Sequence, residues 1–143
     1  MRSVLVTFIV YIAVITAGLA LYIGVGFARN ADNDEPATAV KAFASSLDQG
    51  HGAAACGLLS TDAQDSIEKE RKKPCAQGIV EVKDDLEPRA DPQETDVAEQ
   101  SAIVITGTDD AVFLDKTESG WKISASGCKR QAGDAPYDCE LEG

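Results

Sequence analysis

Large rings are scarce in this chain of 143 residues: four Phe, three Tyr and one Trp. Beyond Arg29 only Phe43, Phe113, Trp121 and Tyr137 remain. A core with so few bulky side chains must lean on aliphatic packing and on covalent help, the usual situation of small exported domains. Histidine is nearly absent, His51 being the single example, and the four cysteines show no C-x-x-C spacing. Those two shortages leave a zinc site without a recognisable donor set. No catalytic or nucleotide motif stands out, so no cofactor, metal or catalytic residue is expected. Positive charge is the third deficit. Of 13 Lys and Arg residues, Arg2 and Arg29 precede the domain, leaving 11 against 24 Asp and Glu and a formal charge of −13 after Arg29. A domain so acidic repels nucleic acid and anionic headgroups at long range, which excludes nucleic acid as a partner.

Charge of either sign is missing altogether from Ser3 to Ala28, a run of 26 residues. At about 1.5 Å rise per residue a helix of that length spans roughly 39 Å, more than a hydrocarbon core of about 30 Å. Residues 1–28 therefore read as a transmembrane anchor, followed by an acidic stalk over 29–36 and a domain over 37–143. The alternative is a secretory signal cleaved after Ala28, because Gly26, Phe27 and Ala28 place small residues where a signal peptidase reads. Against cleavage stands the length of the run, since secretory apolar regions are about 7 to 15 residues. Flanking charge hardly orients the span, with Arg2 and the terminal amine on one side and Arg29 on the other. The cysteines supply the direction: all four lie beyond the run, and disulfides persist in oxidising compartments. The expected location is the plasma membrane, single-pass, with the C-terminal domain outside the cytoplasm. Small residues at Ala20, Gly24 and Ala28 could let another helix pack closely, although such residues are common in spanning helices.

In the domain, Pro36 suits a first helical turn, and Val40, Phe43, Ala44 and Leu47 fall at i, i+3, i+4 and i+7. This amphipathic helix should end near Gly50, and a short apolar helix follows over Ala53–Leu59. Thr61 with Gln64 has capping-box spacing ahead of a polar helix that runs to Pro74. Cys75, Ile79, Val82 and Leu86 share one helical face, and Pro88 and Pro92 close it. Asp84–Glu99 is expected to be a flexible acidic connection. Ala102–Thr106, Ala111–Leu114 and the alternating Trp121, Ile123 and Ala125 then form strands, separated by turns at Gly107–Asp110 and Glu118–Gly120. Helices first and strands after indicate an α+β domain, helices packed on one side of a curved antiparallel sheet.

The stretches AFASSLDQGHGAAACGLLS (42–60), KPCAQGIVEV (73–82) and GWKISASGC (120–128) resemble the nuclear-transport-factor-2-like superfamily. The likeness is to the small exported or membrane-anchored form found in high-GC Gram-positive bacteria, and it covers Pro36 to about Cys128. It implies a cone-like fold and leaves function open, because that fold hosts enzymes and binding scaffolds alike. His51 stands where such relatives often carry an acidic residue.

Cys56, Cys75, Cys128 and Cys139 are the strongest signal. Of the three connectivities four cysteines allow, the local one joins Cys56 to Cys75 between helices and Cys128 to Cys139 across the tail. His51, between two glycines, reads as a surface turn residue. Asp115 could aim an acid into a pocket, but no titratable partner accompanies it. Asp84, Asp85, Glu87, Asp91, Glu94 and Asp96 match no calcium-loop spacing and read as a solvated linker. Lys69, Arg71, Lys72 and Lys73 suit the end of a helix, where cations complement the dipole. The expectation is an extracytoplasmic accessory of the bacterial cell envelope, its domain binding an envelope protein or a small ligand without catalysis. The alternatives are a small enzyme or ligand carrier with a cone-like pocket, and a secreted form.

Overall fold

The spacing of apolar residues sets the helical layer. A computed structural model describes residues 35–86, 88, 91–133 and 136–143. They belong to a compact unit, Asn33–Gly143. The uncharged run Ser3–Ala28 lies outside the described residues, and so does the stalk up to residue 34. Among the described residues no helix is long and apolar enough to cross a membrane.

Helix α1 covers 35–48 and buries Val40, Phe43 and Leu47 of the stripe its spacing predicts, with Ala44 half-buried beside them and Pro36 joining the buried face. Pro36 stands in the first turn, as its fixed φ suits, with its ring buried, and the helix already includes Glu35. The helix stops where Gly50 takes a left-handed φ of 67°, and the turn is pinned by His51 N–H donating to the Ser46 carbonyl at 2.8 Å. Helices α2 (Gly52–Leu58), α3 (Thr61–Arg71), α4 (Cys75–Glu81) and α5 (Lys83–Leu86) follow. The cap of α3 is Ser60, not Thr61: its hydroxyl accepts from Ala63 N–H, while Gln64 reaches back to the Leu59 carbonyl. The predicted single helix from Cys75 to Leu86 is broken at Val82 (φ −111°, ψ 11°), yet Cys75, Ile79, Val82 and Leu86 are all buried.

Two glycines let α4 lie close between its neighbours. A Cβ on Gly52 would overlap the Ala76 carbonyl oxygen, and one on Gly78 would stand 2.8 Å from Ile67 Cγ2. Gly57, on the same helix as Gly52, has open space around it. Gly52→Ala should therefore destabilise the domain by about 3 kcal/mol through overpacking, whereas Gly57→Ala should stabilise it by about 0.5–1 kcal/mol. Chemical denaturation of the two variants checks this; equal midpoints would show that α2 and α4 are free to move apart.

The strands form one antiparallel meander, β1 (Glu94–Ala98), β2 (Ser101–Ile105), β3 (Asp110–Thr117), β4 (Gly120–Lys129) and β5 (Leu141–Glu142), in that order across the sheet. The domain is thus α+β, with a five-stranded sheet. Strand β1 corrects the expected loop at Asp84–Glu99: an edge strand needs only one neighbour, and β2 supplies the ladder for this acidic segment. The inner face carries Ala102, Val104, Val112, Leu114, Trp121, Ile123 and Leu141 against Phe43, Leu47, Leu59 and Ile79. Between Ala111 and Leu114 the pairing with β4 shifts twice, each time by one extra residue on β4, which bends the sheet as bulges do. Helices and sheet are tied by Ser60 N–H to the Ile123 carbonyl (2.8 Å), Ser126 Oγ to the Leu86 carbonyl (2.8 Å) and Ser66 Oγ to the Glu142 carbonyl (2.8 Å).

Candidate binding surface

Two disulfides divide the structural work. Cys56 on α2 is bonded to Cys75 on α4, and Cys128 on β4 to Cys139 in the tail, the local one of the three connectivities; no cysteine is free. The first bond clamps the helices that Gly52 brings together. The second returns the tail across the sheet, where Lys129 and Asp138 exchange backbone hydrogen bonds of 2.8 and 3.0 Å.

The returning tail runs alongside β4, and Tyr137 reaches from it onto the face of the sheet opposite the helices. Tyr137 meets Phe113 edge to face, with ring centroids 5.4 Å apart. Arg130 stacks over the Tyr137 ring and donates to its hydroxyl from Nη2 at 2.9 Å and Nε at 3.3 Å. That hydrogen bond is the leading cause that raises the Arg130 pKa above the usual arginine value; the guanidinium is charged throughout the physiological range in any case. Below the tail opens a groove of about 520 Å³ lined by Phe113, Asp115, Ser124, Ala125, Tyr137 and Glu142 among others.

Asp115 belongs to this outer groove. It is exposed and accepts a 3.0 Å hydrogen bond from the Ser101 hydroxyl, directly opposite it on β2. The space expected for a conical pocket, between helices and sheet, is filled by Phe43, Leu47, Leu59, Ile79, Leu114 and Ile123, none more than 1% exposed. Trp121 completes that packing, while Phe113 points the other way. Ala125, expected to follow Trp121 and Ile123 inward, is turned outward by the first shift in pairing and stands opposite Phe113.

His51 is exposed beside α2 and its side chain caps nothing. Asp84 and Asp85 lie in the first turn of α5, and Glu94 and Asp96 on β1; Glu87 is outside the described residues. Among the described residues no group of three or more His, Cys, Asp or Glu is placed to hold a metal ion. Lys69 and Arg71 occupy the last turn of α3 and Lys72 is its left-handed C-cap, while Lys73 pairs with Glu81. A second concavity, about 350 Å³, runs between α1 and the segment around Pro92, with Lys41, Asp48 and Asp91 on its walls.

The sequence reading did not anticipate the outer face, although one signal was present. Ile103 and Ile105 alternate with the inward Ala102 and Val104, so β2 is apolar on both sides, as a strand covered on both faces would be. Comparison with protein-family models, curated proteins and solved structures gives no match.

Proposed function

We propose that the chain is a single-pass, membrane-anchored accessory of the bacterial cell envelope, with an extracytoplasmic nuclear-transport-factor-2-like domain that binds an envelope protein or a small ligand without catalysing a reaction. One observation carries it: every cysteine lies beyond the 26-residue uncharged run, and each is paired in a disulfide. Paired cysteines fit an oxidising, extracytoplasmic environment. Binding is favoured over catalysis because aliphatic side chains fill the inner face while the open groove lies outside. The groove beside Asp115 is what speaks for the second reading, a small enzyme or carrier. A secreted form, cut after Ala28, would carry the same domain.

In protein isolated from its native host, maleimide labelling without reductant should modify no cysteine, and intact mass should retain residues 1–28. Labelling of all four thiols would reverse the topology, and loss of Met1 to Ala28 would make the protein secreted. A pull-down from detergent extracts should recover a reproducible partner; a monodisperse chain that retains nothing would sink the accessory role.

A further inference from the structure

The strand register places one row of side chains across the outer face: Asp96 opposite Ile103, Ile103 opposite Phe113, Phe113 opposite Ala125, and Ala125 opposite Glu142. An isoleucine, a phenylalanine and an alanine, all half-buried, are thus bracketed by two exposed carboxylates on the outermost strands. The one ion pair among the described residues joins Lys73 to Glu81, so neither bracketing carboxylate is paired with another described side chain. Two nearby cations are engaged elsewhere, Lys122 Nζ on the Gly57 carbonyl and Arg130 on Tyr137. With strands about 4.8 Å apart, four intervals separate the carboxylates by about 19 Å.

We infer that this row is the docking site for an extended segment of a partner protein that carries two basic side chains on either side of apolar ones. An extended chain rises about 3.3 Å per residue and shows every second side chain to one face, so positions 1 and 7 of such a segment are about 20 Å apart on the same side. Lysine or arginine there meets Asp96 and Glu142, while apolar residues at positions 3 and 5 cover Ile103, Phe113 and Ala125. The charge balance disfavours a second copy of this chain, because two such faces would bring four carboxylates together within a domain of formal charge −13. The inference rests on the accessory reading and names the chemistry of its partner.

The test uses the full chain in a neutral detergent and fluorescein-labelled heptapeptides followed by anisotropy at low salt. A peptide of sequence Lys-Ser-Leu-Ser-Leu-Ser-Lys should bind on the order of tenfold more tightly than its counterpart with glutamate at both ends. The double substitution Asp96→Lys with Glu142→Lys, at two exposed positions, should reverse that preference. Equal binding of the two peptides, no binding at millimolar concentration, or a preference unchanged by the double substitution would each overturn the inference. So would sedimentation showing a dimer that Ala125→Arg dissociates, since a second copy would then cover the face. A pulled-down partner whose capture survives the double substitution leaves the accessory role standing and removes this site. Peptide selectivity without any partner in extracts does the reverse.

Discussion

Full reduction of the two disulfides should unfold the domain at a temperature lower by more than about 20 °C. In the chain-entropy model, loops closed by bonds 19 and 11 residues apart are each worth about 3 kcal/mol. Their sum, about 6 kcal/mol, is comparable to the whole stability of a domain this size, about 5–15 kcal/mol. At roughly 4–8 °C per kcal/mol the transition must fall steeply. Near-UV circular dichroism of Trp121 through a thermal scan, with reduction verified by mass, is the measurement. An unchanged midpoint would mean that aliphatic packing alone carries the fold. The separate bonds should not behave alike. Replacing Cys56 and Cys75 loosens α2 from α4 in the core, whereas replacing Cys128 and Cys139 frees the tail and uncovers Phe113.

Phe43→Ala should cost about 3–5 kcal/mol, because the ring is fully buried at the centre of the layer between α1 and the sheet. Phe113→Ala should cost only about 1–2 kcal/mol, mostly the edge contact with Tyr137, since the outer face is half open. Urea denaturation of both variants tests the contrast. Similar losses would show that the tail side of the sheet is as well packed as the helix side. Of the four aromatic side chains beyond Arg29, two, Phe113 and Tyr137, sit on the outer face and leave Phe43 and Trp121 to the core, and that division agrees with a surface kept for contact.

The helices were legible because their apolar spacing is local: Val40, Phe43 and Leu47 announce a buried stripe, and Gly50 announces its end. The three central strands were legible from β-branched runs and the turns between them. Strand β1 was not, since Glu94, Asp96 and Ala98 face away from the core and only Thr95 and Val97 contribute inward. Pairing with β2, not composition, makes that segment a strand. The Ser60 cap was missed by one residue, because Ser60 and Thr61 both carry a capping hydroxyl and the backbone decides between them. The outer row was illegible for a different reason. It draws one residue from each of five strands, and its register depends on two irregularities in β4 that no local pattern marks.

Those irregularities make β4 a strand whose length counts in twos. One extra residue exchanges inside for outside along everything that follows, and a second restores it. Only the short interval between them is inverted: Ala125 is brought out to the row beside Phe113, and Ser126 is carried in to bond the Leu86 carbonyl. Cys128 keeps the parity it would have in an unbroken strand. Shortening β4 by a single residue would turn the cysteine away from its partner in the tail, whereas shortening it by both would erase the row at Ala125 and leave the covalent frame where it stands.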